Sequence, residues 1–157
     1  MKCGLNLFYL LLFFIFSCSS DEQEEFSLVG TNTSIAAMSG NWNATSAIFS
    51  KPIGQVMEVD IVAEGGTATL NIQSNGRFNL TITQQGESPE ITTGDLRFDE
   101  DLLVVFFDDD PGEWEYFGIS HNDPNLSIDD RNATGEFDFD GDGTLEPANL
   151  YFEFVRI

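Results

Sequence analysis

The stretch from Ala63 to Ile82 constrains the fold more than any other, because its corners are legible in residue chemistry. Ala63, Ala68, Leu70 and Ile72, then Phe78, Leu80 and Ile82, are apolar at strand spacing, with Thr, Asn, Gln and Arg between them. Each strand therefore has one dry face and one wet face. Gly65-Gly66 suits a two-residue primed turn, which sets Ala63 opposite Ala68 and Ile61 opposite Leu70. At the next corner a two-residue Asn75-Gly76 loop would place the apolar residues of the two strands on opposite faces. Keeping one face dry requires a three-residue loop, Ser74-Asn75-Gly76, with Gly76 left-handed in a bulge; Ile72 then pairs with Phe78 and Leu70 with Leu80.

The same pattern runs through the rest of the chain. From Gly40 onward, short apolar segments alternate with turns, and no stretch holds a helical period over a dozen residues. Trp42, Ala44, Ser46 and Ile48 share one face of a first strand, and Leu96 and Phe98 alternate with Asp95 and Arg97. Leu102 to Phe107 is apolar on both faces, which requires the core on one side and a loop, the linker or another molecule on the other. Corners fall at Asp108 to Gly112, His121 to Asn125 and Asp129 to Asn132, and a last hairpin sets Phe137 and Phe139 against Leu150, Phe152 and Phe154. The expected fold is all-β, an antiparallel up-and-down meander of eight to ten strands that removes its exposed edges by closing into a barrel.

Composition narrows the partners. The 157 residues suit one domain, and 6 Lys and Arg against 27 Asp and Glu give a formal charge of -21. Such a surface repels phosphate backbones and anionic membranes, so nucleic acid is excluded as a partner while cations and basic proteins are not. The two cysteines, Cys3 and Cys18, both lie near the N-terminus, leaving the folded part without a disulfide or a thiol nucleophile.

Lys2 precedes an apolar run from Leu5 to Phe16 broken only by Asn6, and Ser17-Cys18-Ser19-Ser20 follows. The run is short for a bilayer span and, with its positive flank, reads as a secretory signal over residues 1–17. Ile15, Ser17 and Cys18 resemble a bacterial lipobox, which implies lipidation of Cys18; Phe16 stands where that pattern has a smaller residue. The acidic run Ser19 to Glu25 is similar to the export tag of surface-exposed lipoproteins in some Gram-negative bacteria, and it reads equally as a solvated tether. The expected organisation is a lipid-anchored acidic tether and linker over 18–38 and a barrel over 39–157. Its expected place is the outer membrane, at the cell surface, with the lipid as the only membrane contact.

Gly40-Asn41-Trp42 in the first strand matches the Gly-x-Trp signature of the lipocalins, and Arg156 lies in the last strand in phase with Phe152 and Phe154. Residues 39–157 therefore resemble the lipocalin-like domains of bacterial lipoproteins. The resemblance implies that Gly40, Trp42 and Arg156 close one end of the barrel, the guanidinium packing across the indole. The family's Thr-Asp-x-x motif has no clear match here, so a fatty-acid-binding-like barrel and an open sandwich stay open.

Trp114, Tyr116, Phe137, Phe152 and Phe154 are candidates to line a pocket for a small apolar molecule, or else to fill the interior. Asp138, Asp140 and Asp142, with Gly143, form the start of a calcium-loop pattern. Asn149 stands at position twelve, where an EF-hand needs Glu, and the flanks read as strands, so the choice is between a looser calcium site and a plain Asp/Gly turn. Asp108, Asp109 and Asp110 are a weaker metal candidate. His121, the single histidine, sits among turn residues and is expected to be solvated, and no catalytic residue stands out. The leading expectation is a non-enzymatic surface lipoprotein that binds a small apolar ligand or serves as an accessory module. The alternatives are a cavity-less adhesion module using the acidic loops, calcium and the face of Leu103, Val105 and Phe107, and a secreted hydrolase.

Overall fold

Strands that are dry on one face must bury that face, and this chain does so by rolling one sheet into a tube. The computed structural model describes residues 26–54 and 57–157, with the backbone alone at Arg131. A one-turn helix, α1 (Ile35–Met38), is followed by nine strands: β1 (Gly40–Ser50), β2 (Glu58–Asp60), β3 (Thr67–Ile72), β4 (Arg77–Thr83), β5 (Glu90–Asp99), β6 (Leu102–Phe107), β7 (Glu115–Asn122), β8 (Asn125–Phe137) and β9 (Glu146–Arg156). From β3 to β9 each strand pairs antiparallel with the next, and β1 pairs with β9 from Trp42 opposite Arg156 to Ser50 opposite Asn149. That last pairing closes the sheet and rules out an open sandwich. β2 and β3 both run antiparallel to β1, along its second and first halves, so they form one stave of an eight-stave wall interrupted by residues 61–66.

The corner after β3 is the three-residue loop that the dry face demands. Gly76 has φ +98 and donates to the Gln73 carbonyl at 2.9 Å, Gln73 donates to the Arg77 carbonyl at 2.8 Å, and Ile72 and Leu70 face Phe78 and Leu80. The Gly65-Gly66 hairpin, in contrast, does not form. The Asp60 carboxylate accepts N–H groups from Ala47 and Val62 at 3.0 Å and from Ala63 at 3.4 Å, and the Ser46 hydroxyl at 2.9 Å. Burial acts to raise the Asp60 carboxyl, but these four bonds together outweigh it and hold the group below its usual range. A side chain that gathers nearby N–H groups competes with the ladder. The chain curls through Glu64 N–H to Asp60 C=O and Gly66 N–H to Ile61 C=O, which buries Ile61 and leaves Ala63 exposed.

A second correction falls in β1. A bulge between Ala44 and Ser46 inserts Thr45 on the β9 side, so the inward residues are Trp42, Ala47 and Phe49, and Ser46 and Ile48 turn away from the core. A third concerns residues 26–38, expected to be linker. Ser27 exchanges both backbone hydrogen bonds with Phe98, at 2.9 and 2.7 Å, and Phe26 meets Phe106 and Trp114 edge-on at 5.5 and 5.6 Å. Ile35 and Met38 are completely buried. The doubly apolar strand β6 thus faces the barrel interior on one side, and on the other its Phe106 is covered by Phe26.

At one point of the wall there is no room for a side chain. Gly94 on β5 lies opposite Phe78 on one side and Phe107 on the other, and a Cβ there would run into the Phe106 carbonyl and sit 2.7 Å from the Phe78 ring. Gly94→Ala is expected to destabilise the fold by about 1–3 kcal/mol in urea unfolding, because the obstacle includes backbone and cannot swing aside. Unchanged stability would mean that the wall is looser at that point than described.

Candidate ligand cavity

One end of the barrel is shut. Burial of Ile35 and Met38, worth about 1.5–3 kcal/mol each, anchors a helix far too short to stand alone. The Ser34 hydroxyl caps α1 by accepting the Ala37 N–H at 3.2 Å. At its other end, Arg156 donates to the carbonyls of Ala37 at 2.7 Å and Ser39 at 2.6 Å, and Nε reaches Asp123 at 2.5 Å. The same guanidinium lies over the Trp42 ring, 4.2 Å from its centroid, while the fully buried indole donates through Nε1 to the Met38 carbonyl at 2.9 Å. Gly40 has a reason of its own: its φ is +139, and a Cβ would stand 2.7 Å from Arg156 Nη1. The three residues expected to close the barrel therefore meet at one point.

The other end is open and leads into a cavity of about 1090 Å³, just above the range of ~300–1,000 Å³ usual for small-molecule sites. Its wall is aromatic and aliphatic, with Phe49, Leu70, Phe78, Leu80, Leu96, Leu103, Phe107, Phe117, Phe152 and Phe154 among the lining residues. Ring pairs knit this wall together: Phe49 lies 4.9 Å from Phe137 and 6.1 Å from Phe152, and Phe152 stacks on Phe154 at 5.6 Å. Gln84, Glu87, Glu90, Asp109, Asp110, Glu136 and Asp138 supply polar groups to the lining.

Of the five residues expected to line a pocket, Phe137, Phe152 and Phe154 do so and Trp114 and Tyr116 do not. Trp114 is 40% exposed and packs against Phe26 and Phe106, and Tyr116 sits opposite Val104. The inward residue of β7 is Phe117, paired with Leu103. Phe117 shares its parity with Ile119, and that apolar pair was the signal for the correct face. Leu103, Val105 and Phe107, the surface expected of a cavity-less adhesion module, line the interior instead.

The loop after β8 brings Asp138, Asp140 and Asp142 together, each with an oxygen within 4.8 Å of the others. Asp138 accepts N–H groups from Gly143 at 2.7 Å, Gly141 at 2.8 Å and Asp142 at 3.2 Å, and Asp142 accepts from Thr144 at 2.7 Å. The bond from Gly143 does most to hold the Asp138 carboxyl below its usual range. The loop's shape thus follows from carboxylates satisfying its own backbone. Asp108 serves another purpose, since Arg77 grips both its oxygens and Thr93 donates to one, which holds its carboxyl far below the carboxylate range.

His121 is not a solvated loop residue. It lies in β7, shares a 2.8 Å hydrogen bond with the Thr33 hydroxyl through Nδ1 and meets Trp42 edge-on at 5.9 Å, while its buried Nε2 has no partner among the described residues. Burial first, and then the Arg156 charge, press its pKa below the ordinary 6.5 against the opposing pull of Asp123. Cys18 and residues 1–25 lie outside the described residues. The chain matches no protein-family model, no curated protein and no solved structure.

Two outcomes follow for the closed end. Arg156→Ala is expected to cost about 2–4 kcal/mol, through lost stacking on Trp42 and carbonyls left unbonded, and Arg156→Lys should recover less than half of it. A loss below ~0.5 kcal/mol in chemical unfolding would contradict this assignment. Because the folded state binds the His121 proton more weakly than the unfolded chain, stability from this group is complete above 6.5 and lost as pH falls below that value. His121→Gln should therefore flatten the decline in melting temperature between about pH 7.5 and pH 5 relative to the wild type. Parallel profiles would refute the shift.

Proposed function

We propose that this protein is a non-enzymatic, lipid-anchored member of the lipocalin-like class, exported to the outer membrane surface, and that its barrel binds a small apolar molecule. The observation that carries the reading is the cavity of about 1090 Å³, apolar in its depth, open at one end and stoppered at the other. A barrel meant only as a rigid surface has no use for a hollow interior, since unfilled space forfeits contacts that side chains would otherwise make. The meeting of Gly40, Trp42 and Arg156 supports the likeness to lipocalins. The lipobox-like Ile15, Ser17 and Cys18 support the anchor, and the acidic run behind them supports the surface location.

Native mass spectrometry of the full chain purified from its host is expected to show a bound small molecule that unfolding releases. Leu80→Trp, which projects an indole into the cavity, should reduce the ligand-bound fraction at least about tenfold while the fold is retained. An empty barrel in both proteins would overturn the binding proposal. For the anchor, Cys18→Ala should abolish incorporation of labelled fatty acid and release the protein from membranes; retained label would place the lipid elsewhere or nowhere.

A further inference from the structure

The cavity lining divides into two zones of different chemistry. Its depth is apolar, formed by groups such as Leu70, Phe117 and Phe152, whereas its rim carries six carboxylates, Glu87, Glu90, Asp109, Asp110, Glu136 and Asp138. These come from three separate hairpins, between β4 and β5, between β6 and β7, and between β8 and β9. No described lining residue is basic. The nearby cations are already engaged, Lys51 with Glu146 at 2.6 Å and over the Phe139 ring at 5.2 Å, and Arg77 with Asp108 and Asp95. Glu87, Glu90, Asp109, Asp110 and Glu136 have no ion-pair partner among the described residues.

Like charges gathered at the mouth of a low-dielectric cleft focus a negative potential there. A fatty acid inserted tail-first would bring its carboxylate against that rim, and one inserted head-first would bury its charge among phenylalanines. A cationic head over the same apolar tail relieves the repulsion among the carboxylates and stays wet. We infer that the ligand is an amphiphile of the amine or quaternary-ammonium class, its hydrocarbon body inside the barrel and its cationic head among the rim carboxylates. This rests on the proposed binding function and adds the chemistry of the head group.

Three probes with one tail test it: dodecyltrimethylammonium, dodecanol and dodecanoate, each displacing a neutral apolar fluorophore from the full chain. A rim variant carrying Glu87→Gln, Glu90→Gln, Asp109→Asn, Asp110→Asn and Glu136→Gln is compared in the same detergent, so that partition into micelles cancels. The cation should bind at least about tenfold tighter than the alcohol, with dodecanoate weakest, and the preference should shrink as salt is raised. In the variant the three probes should converge to within about threefold. Equal binding of cation and alcohol, or tightest binding of dodecanoate, overturns the inference. If no probe displaces the dye, the binding function itself falls. Should the fivefold variant fail to fold, Asp109→Asn with Asp110→Asn supplies the comparison, and the wild-type ranking alone still decides.

Discussion

A tube of strands has two ends, and this protein depends on how one of them is shut. Arg156 is the last residue of the last strand, yet its guanidinium does three jobs at once. It covers the Trp42 ring, supplies donors to the end of the α1 helix and reaches the corner at Asp123. The arrangement suits an arginine and no other side chain, because a planar fork presents a face to the indole and separate N–H edges to two carbonyls. Closure of the sheet through β1 and β9 brings residues from both ends of the chain to this point. The stopper and the wall are therefore one cooperative unit, and the short helix that plugs the base is held by the strand that completes the barrel.

With the base fixed, the wall can remain hollow. The inward phenylalanines pack edge-on or stacked against one another along the wall and leave open space beyond them. Gly94 leaves room for the Phe106 carbonyl and the Phe78 ring to approach the β5 backbone closely. The acidic loops play a different part. At Asp60, Asp138 and Asp142, carboxylates accept backbone N–H groups that the ladder does not use, so a few of the chain's many acidic groups also shape its turns. Of the rim carboxylates, Glu87, Glu90, Asp109, Asp110 and Glu136 differ from these in having no such partners among the described residues.

Much of the fold was legible because the dry-and-wet alternation and the glycine at a left-handed corner are local signals. The Ser74-Asn75-Gly76 loop and its pairings follow from one constraint, that apolar residues share a face. Closure and the Trp42–Arg156 contact were legible from phase and placement at the two ends of the chain. The errors have a common cause in side chains acting across distance. Asp60 pulls the chain out of the Gly65-Gly66 hairpin by bonding to Ala47 in another strand, and the β1 bulge reverses the faces of Ser46 and Ile48, neither of which a period of two can reveal. Aromatic bulk alone does not show which face of β7 and its approach points inward: Phe26, from a segment that reads as linker, gives Trp114 and Phe106 their cover outside. His121 looked solvated for the same reason, since the Thr33 that bonds to it also lies in that segment.

The central physical claim is that the interior is an accessible apolar void on the open side of Trp42. Crystals of the full chain equilibrated under xenon pressure test it directly, because xenon enters apolar cavities without needing a particular head group. Ordered xenon among Leu70, Phe78, Leu103, Phe117 and Phe152, with the Trp42–Arg156 stack intact, is the expected result. Side chains swung inward to fill that space, with no xenon between them, would contradict it.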